Sequence, residues 1–307
     1  LGSNNIPSFS NSSPFFQNEM IDVGEDAFPA FFDFDEDGDL DLFVSNTGNL
    51  INGEFVGTVW LYENTGNQFE PEFSLLTKDF AGLSALGYKR LKAQLSDLDN
   101  DGLTDLILHA NVGPLDARVF FLKGDENLEF DGPVDLGFEA NDASNPYVFD
   151  LNEDGQMDVL IGHQFGSLSA YFNNGNLSFS EEQTNFGGLE DDFSKQNLSV
   201  AVGQFLQNTQ PQIITIDSQG KLTLYDDQAD ENFRAIGSNQ NLILFDDELT
   251  KVDFGRASYL ATVDLHSDGV ASLVIGSSKG GLYFLRNSPA DGSPSENQLR
   301  VAISPNP

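Results

Sequence analysis

The sequence predicts an all-β fold, a β-propeller of five four-stranded blades, and three observations support this prediction. Short apolar runs separated by turn residues recur along most of the chain, as expected for short strands. An aspartate-rich loop recurs between two such runs. A strand that opens with small residues follows each loop about twenty residues later. Repeated units of four short strands are typical of propeller blades.

The aspartate-rich loop has the pattern D-x-D-x-D-G-x-x-D, and oxygen-bearing side chains recur at positions 1, 3, 5 and 9. Position 7 varies, so we expect it to contribute its backbone carbonyl. Hard oxygen ligands without His or Cys favour calcium over zinc or copper. The candidate ligands in the three full copies are Asp33, Asp35, Asp37, Asp39 and Asp41; Asp97, Asp99, Asp101, Leu103 and Asp105; and Asp150, Asn152, Asp154, Gln156 and Asp158.

Two other interpretations of the loop are weaker. An EF-hand needs a bidentate Glu at position 12 and flanking helices, whereas this chain has Val44, Leu108 and Ile161 there, each within an apolar run. Asp and Gly are also ordinary turn residues, but chance does not readily place three such loops at the same point of a larger repeat. The loops are therefore predicted to join two strands and bind calcium.

Alignment on the loops exposes five units, with first positions at 33, 97, 150, 203 and 264. The fourth unit, starting at Gly203, lacks carboxylates, so its loop is predicted to be empty. The fifth unit starts at Asp264 but has His266 and Ser272 where aspartates are expected, so its loop is predicted to be empty or weak.

The outer strands predict how the ring closes. Units one to four each have a Phe-bearing outer segment, around Phe69 to Phe73, Phe130, Phe179 and Phe233, but the fifth runs into a Ser/Pro/Gly-rich tail. The N-terminal segment 6–16 resembles an outer strand, and we predict that it closes the ring beside unit five. The predicted division is a propeller over residues 1–290 and a linker with the start of a C-terminal segment over 291–307.

The loop followed by Gly57-Thr-Val-Trp-Leu-Tyr-Glu-Asn-Thr-Gly66 resembles the FG-GAP or VCBS repeats of bacterial secreted proteins and the calcium loops of integrin α-subunit propellers. The resemblance covers about residues 6 to 286. It implies that calcium loops join the first and second strands of a blade, on the face opposite the usual ligand contacts. The end of the chain, Leu299 to Pro307, resembles the opening of the C-terminal sorting domain of Bacteroidetes type IX secretion cargo, which implies contact with that secretion machinery.

Composition agrees with a secreted or cell-surface location. The chain has 14 Lys plus Arg against 49 Asp plus Glu, a formal charge of −35. This charge disfavours nucleic acid and anionic membrane surfaces, which need clustered cations. No cysteine is present, so we expect calcium to supply the cross-links that disulfides give other secreted domains. The sequence has no apolar run of about 18 residues, so membrane insertion is not expected.

Two functional classes remain open. The first is a non-catalytic binding or adhesion module for glycan or protein ligands, which uses the loops after the second strands, above all Asn46 to Phe55. The second is a carbohydrate-active enzyme similar to propeller polysaccharide lyases. A lyase needs a base and a cation near the sugar carboxylate, and the few Lys, Arg and His residues do not assemble such a set from sequence. We predict no catalytic residues, and the binding module is favoured.

Overall fold

The computed structural model describes residues 21–51, 53–67, 71–205, 210–226, 233–238, 243–245, 248–249, 254, 258–265, 269–287 and 299–302. Three features of the sequence prediction lie outside these residues: the segment 6–16, His266 and the terminal Pro-Asn-Pro sequence. Within the described part, no helix has the length and apolar character needed to cross a bilayer.

Five sheets form the ring, and the predicted five-bladed β-propeller is confirmed. The first blade contains β1 (Phe28–Phe32), β2 (Asp41–Ser45), the hairpin β3 (Asn49–Ile51) and β4 (Glu54–Val56), β5 (Val59–Asn64) and β6 (Phe73–Thr77). The second contains β7 (Lys89–Ser96), β8 (Asp105–Gly113), β9 (Asp116–Leu122) and β10 (Val134–Asp135). The third contains β11 (Asn145–Phe149), β12 (Asp158–Gly162) and β13 (Leu168–Tyr171).

The remaining strands form the last two blades. The fourth contains β14 (Ser199–Gly203), β15 (Gln212–Ile216), β16 (Leu222–Asp226) and β17 (Arg234–Ser238). The fifth sheet contains β18 (Ile243–Phe245), β19 (Glu248–Leu249), β20 (Ser258–Val263), β21 (Ser272–Ser277), β22 (Leu282–Asn287) and β23 (Leu299–Ala302), in the order β19-β18-β23-β22-β21-β20. Two short 3-10 helices span Phe80–Leu86 and Phe186–Gly188.

The first strand of every blade lies at the centre of the ring. Around that centre, β1 contacts β7, β7 contacts β11, β11 contacts β14, β14 contacts β20, and β20 returns to β1. Backbone hydrogen bonds close the ring between blades five and one, including Ala27 N–H to Ser277 O at 3.0 Å. Five neighbours in a closed circuit leave no open edge at the central strands.

The second strands explain why the apolar runs in the sequence are continuous rather than alternating. In β2, Leu42 and Val44 pack with blade five, whereas Phe43 packs with blade two. All three are at most 1 % exposed. A strand that is sandwiched between two neighbouring blades buries both faces, so every position must be apolar. The same alternation recurs in β8, where Ile107 faces blade three and its neighbours Leu106 and Leu108 face blade one.

The predicted outer strands are correct only in part. Phe73 and Phe233 lie in or beside β6 and β17, but the outer strand of blade two is β10. Phe130 instead bridges Gly124 and packs against Phe80 in the core between blades one and two. In blade three, Phe179 pairs with Asn173 in an isolated β-bridge and is not part of a strand.

The closing strand is also corrected. The position beside β22, predicted for residues 6–16, is occupied by β23, which pairs antiparallel with β22. The exposed edge of a third strand can pair with any extended segment that reaches it. The length and aromatic pattern of a segment therefore do not show whether the strand beside β22 comes from before or after the repeats.

The ring closure gives a first prediction. A Cβ on Gly276 would lie 1.7 Å from the backbone oxygen of Ala27, at the junction of blades five and one. Gly276→Ala should therefore destabilise the fold by about 1–3 kcal/mol or more, because the clash is with backbone that cannot rotate away. Thermal unfolding measures the loss. Gly132→Ala is the control, since nothing lies within 4 Å of its Cβ, and equal melting temperatures for the two variants would contradict the closure described here.

Candidate functional site

The three predicted metal loops share one backbone conformation, and each joins the first strand of a blade to the second. Position 4 has a left-handed φ in all three loops, and so does the glycine at position 6. These positions are Glu36, Asn100 and Glu153, and Gly38, Gly102 and Gly155. The amide of each glycine donates to the position-1 carboxylate at 2.9–3.1 Å. The loop is therefore a repeated, specific turn that directs several side chains inward.

The carboxylates at positions 1, 3 and 5 converge in the first loop. Oxygens of Asp33, Asp35 and Asp37 lie within 4.8 Å of one another, as do those of Asp97, Asp99 and Asp105 in the second loop. At position 5, an aspartate oxygen accepts the amide of position 7 at 2.8–2.9 Å in all three loops. Grouped carboxylates repel each other unless a cation lies between them.

Each loop also contains one buried oxygen that has no hydrogen-bond partner among the described residues. These atoms are Asp33 Oδ1, Asp99 Oδ1 and Gln156 Oε1. Buried oxygens are almost always satisfied, so one such atom in each of the three loops is compatible with a cation ligand. For the third loop, this atom is the side-chain amide oxygen at position 7, where the sequence predicts a backbone carbonyl. The donor set is all oxygen and is compatible with calcium.

The carboxylate at position 9 has a structural role that the sequence did not reveal. Asp41 is 1 % exposed. One of its oxygens accepts the Phe34 amide in the loop at 2.7 Å, and the other accepts the Asn64 amide at the end of β5 at 2.7 Å. Asp105 and Asp158 make the equivalent two contacts in their blades. Position 9 thus ties the loop to the third strand, and its oxygens retain lone pairs for a cation.

Burial raises the pKa of Asp41, Asp105 and Asp158, and the amide hydrogen bonds oppose that shift. Removing a carboxylate from water disfavours its charged form, whereas amide donors stabilise it.

The fourth loop keeps the first of these two contacts without a charge. Gln212 begins β15, and its side-chain oxygen accepts the Phe205 amide at 2.9 Å, as Asp41 does from Phe34. The pairing of Gly203 with Gln212 matches that of Phe32 with Asp41, so position 1 of this loop is Gln204. The alignment on Gly203 was one residue early, because no carboxylate marked the register. In the fifth loop, the Gly269 amide donates to Asp264 Oδ2 at 2.9 Å.

A lysine enters the second loop. The Lys123 ammonium forms ion pairs with Asp99 and Asp101. Its hydrogen bonds lower the pKa of Asp101, and the two carboxylates raise the pKa of Lys123. Lys123 is the first residue after β9. The strand pairings show that its equivalent is Glu63 in blade one and Phe172 in blade three. The second loop alone among these three thus has an internal cation.

The opposite face of the ring, which we call the loop face, is formed by the segments between second and third strands and those before the first strands. Its most exposed apolar side chains come from three neighbouring blades, and Leu115 is 96 % exposed. Phe165 and Phe193 form an exposed pair with ring centroids 5.1 Å apart. Leu50 and Phe55 lie on the hairpin of blade one.

The predicted binding loop Asn46 to Phe55 combines two different parts. Asn46 is fully buried, and its side chain bonds Val23 O and Thr58 at 2.9–3.0 Å. It therefore fixes the loop to the ring, and shortening the segment at Asn46 would remove these contacts. Only the hairpin tip is free to contact a ligand.

The centre of the loop face buries polar groups. Lys92 is 4 % exposed and donates to Ser144 O and to Asn145 Oδ1 at 2.7 Å. Burial is the main cause that lowers its pKa to about 7, Asp26 and Asp142 oppose the shift, and Arg90 adds a smaller lowering contribution. His109 is fully buried, Asn141 O lies 3.0 Å from its Nε2, and burial lowers its pKa to about 3. His163 instead contacts Ser169 Oγ at 2.8 Å. His109 and His163 thus each have a structural partner.

The comparisons with known proteins agree with the fold. Residues 97–161 match the FG-GAP-like repeat family, from the second loop to the second strand of blade three. The chain therefore contains an FG-GAP-like repeat. No curated protein sequence matches the chain at a significant level.

Solved propeller structures are similar in shape but distant in sequence. A fructofuranosidase from Schwanniomyces occidentalis, complexed with fructose, has a TM-score of 0.51 and 8 % identity; the match covers 96 % of this chain and 64 % of the fructofuranosidase chain. An Agrocybe aegerita lectin that recognises non-reducing terminal N-acetylglucosamine has a TM-score of 0.43 and 16 % identity, with 90 % of this chain and 79 % of the lectin covered. At these identities the likeness concerns the fold alone.

Lys92 gives a second prediction. Between about pH 7 and 10 the unfolded chain carries a proton at this lysine that the folded chain releases, so stability should rise with pH across that range. Lys92→Met should remove this contribution. Urea unfolding at pH 7 and 9.5 in the same salt measures it, and Lys89→Met, at an exposed position of the same strand, is the control. A rise with pH that persists unchanged in Lys92→Met would contradict the assignment.

Proposed function

We propose that this chain is a calcium-stabilised extracellular propeller that acts as a non-catalytic binding module for glycan or protein ligands. The observation that supports this most is the group of exposed apolar side chains on the loop face, contributed by three neighbouring blades. Loops on a rigid scaffold are the usual place for ligand contacts. Exposed aromatic groups such as Phe165 and Phe193 on such a surface are typical of recognition sites.

Calcium is proposed as a structural ion on the opposite face. Asp33, Asp35 and Asp37 would hold it in the first loop, and the matching residues would do so in the second and third. A bound ion would neutralise carboxylate repulsion and cross-link each turn. At calcium tenfold above its Kd, each site would add about 1.4 kcal/mol to folding, or about 4 kcal/mol for three. That is a large part of a typical stability of roughly 5–15 kcal/mol.

Export through the type IX machinery is proposed from the sequence resemblance at Leu299 to Pro307. A protein with a charge of −35 and no cysteine suits an extracellular medium rich in calcium. Sequencing the parent gene tests this: the reading frame is expected to continue past Pro307 into a small β-sandwich.

A carbohydrate-active enzyme is the second candidate, because Lys92, Arg90 and Asp26 meet near Tyr259 at the centre of the loop face. A lysine with a pKa of about 7 is suited to act as a general base. The cavity at this cluster, however, is about 10 Å³, the size of one water molecule. A sugar cannot reach Lys92 there, so the cluster supports a structural role, and cleavage of a polysaccharide by the intact chain would reverse this preference.

The metal assignment gives the third prediction. Calorimetry of chelator-stripped protein should show about three calcium ions, and Asp37→Ala, Asp101→Ala and Asp154→Ala should each remove one, because each takes a charge and an oxygen ligand from one loop. Chelation should lower the melting temperature. Asp131→Ala, at an exposed aspartate outside the loops, is the control. No heat of binding, or melting that is indifferent to chelator, would sink both the metal and its stabilising role.

The fourth prediction concerns Lys123. Because its ammonium pairs with two candidate ligands, Lys123→Met should tighten calcium binding at the second loop about tenfold by removing a competing charge. Amide chemical shifts of Gly102 and Gly155 report the second and third loops separately. Phe172→Met, at the equivalent uncharged position, should change neither affinity. If Lys123→Met leaves the second loop's affinity as it was, the ion pair does not compete with metal.

The fifth prediction concerns the loop face. Replacing both Phe165 and Phe193 with Ser should reduce binding to an array of glycans and matrix proteins, since the pair forms an exposed aromatic surface. The melting temperature should stay within a few degrees. Val134→Ser removes an exposed apolar side chain from an outer strand and is the control. Binding that falls equally in the control, or not at all in the double variant, would place the site elsewhere.

A further inference from the structure

A cavity of about 330 Å³ lies between blades three and four. The 3-10 turn at Gly187 and Gly188 lines one side of the cavity, and residues of β16 line the other. Tyr225 and Phe233 belong to the same lining. The volume falls in the range of small-ligand sites, roughly 300–1,000 Å³. It is large enough for one monosaccharide ring and is distinct from the acidic loops and from the buried centre of the loop face.

Two lysines line this cavity, in a chain with only 14 basic residues against 49 acidic ones. Lys221 forms no ion pair with any residue that the structure describes. Lys195 has a single long contact, 3.6 Å to Asp192, and both side chains of that pair are over a third exposed. Such an exposed pair contributes little energy. Both ammonium groups are therefore available to an anion at low cost.

The rest of the wall is aromatic and polar. Tyr225 and Phe233 have ring centroids 6.1 Å apart, and the Thr223 side chain lies on the same lining. A Cβ on Gly187 would lie 2.0 Å from the Phe233 ring, so only glycine lets that ring pack against the turn. The wall thus offers an apolar surface, a hydroxyl and two positive charges around one open cavity.

We propose that this cavity binds one uronic acid residue of a mainly neutral glycan, a specificity that rests on the proposed binding function. The carboxylate lies by Lys195 and Lys221, the C–H face of the ring lies against the aromatic wall, and Thr223 bonds a ring hydroxyl. A peptide carboxylate would use the lysines but not the flat aromatic wall. Three acidic residues, Glu190, Asp191 and Asp192, follow the cavity residue Leu189 directly in sequence. Their carboxylates would repel further uronates of the same glycan within a Debye length of about 8–10 Å, so a run of uronates is disfavoured.

Methyl β-D-glucuronide and methyl β-D-glucoside are the test probes, titrated into the calcium-loaded chain by NMR. The glucuronide should bind with shifts at Thr223 and Gly188. Lys221→Met and Lys195→Met, which keep most of the apolar stem, should each weaken it about five- to tenfold, as expected for a charge-assisted hydrogen bond worth about 1–1.5 kcal/mol. Lys89→Met, on the loop face but outside the cavity lining, should leave the affinity unchanged.

Three results would overturn the proposal: no binding of the glucuronide, equal binding of the neutral glucoside, or equal binding of an acetyl-Gly-Asp peptide. A glycan array on the same preparation separates this failure from that of the binding module. If neutral glycans bind the loop face while the glucuronide does not, the cavity proposal falls and the module stands. If no glycan binds at all, the glycan function and the uronate site fail together.

Discussion

The buried carboxylate at the start of the second strand is the interaction on which each of the first three blades depends. Asp41, Asp105 and Asp158 each accept one amide from the loop before them and one from the end of the third strand. Three separate chain segments are thereby joined at one side chain. A charge is not essential to the first of these contacts, since Gln212 accepts the loop amide in blade four. The tie therefore sets the turn, and the remaining aspartates are the candidate cation ligands.

The role proposed for these aspartates is to hold a cation. Once the tie has fixed the turn, Asp33, Asp35 and Asp37 face one another within 4.8 Å, which raises the electrostatic energy of the metal-free loop. In the second loop, Lys123 offsets part of the repulsion. The chain thus combines an amide tie that forms without metal and a carboxylate set that is compatible with one.

Sequence patterns could predict what depends on neighbours along the chain. The loop carries its turn glycine and its ligands within nine positions, and the continuous apolar run after it indicates a strand covered on both faces. Contacts between distant segments were beyond such patterns. No local sequence feature distinguishes the buried Asn46 from the exposed tip of its hairpin. Likewise, no local feature shows that Lys92 of blade two bonds Asn145 of blade three. The cavity between blades three and four could not be predicted for the same reason, because its lining residues are spread between positions 187 and 235.

The outer strands failed for a related reason. An outer strand pairs along one edge only, with the third strand of its blade. Any extended segment that reaches the third strand can therefore form it. β23 and β10 occupy these positions instead of the predicted segments, whereas the second strands of the first three blades lie where their apolar runs predicted them, because neighbouring blades restrict both their faces.

Amide hydrogen exchange, followed by NMR with and without calcium, tests the central account most directly. The account predicts that calcium slows exchange strongly at Gly38, Gly102 and Gly155, whose amides bond the position-1 carboxylate, and leaves Gly269 of the fifth loop much less affected. The amides that bond the position-9 carboxylates should be protected in both states. Equal exchange at the three glycines with and without calcium would contradict the account, because the acidic loops would then hold their shape without a cation.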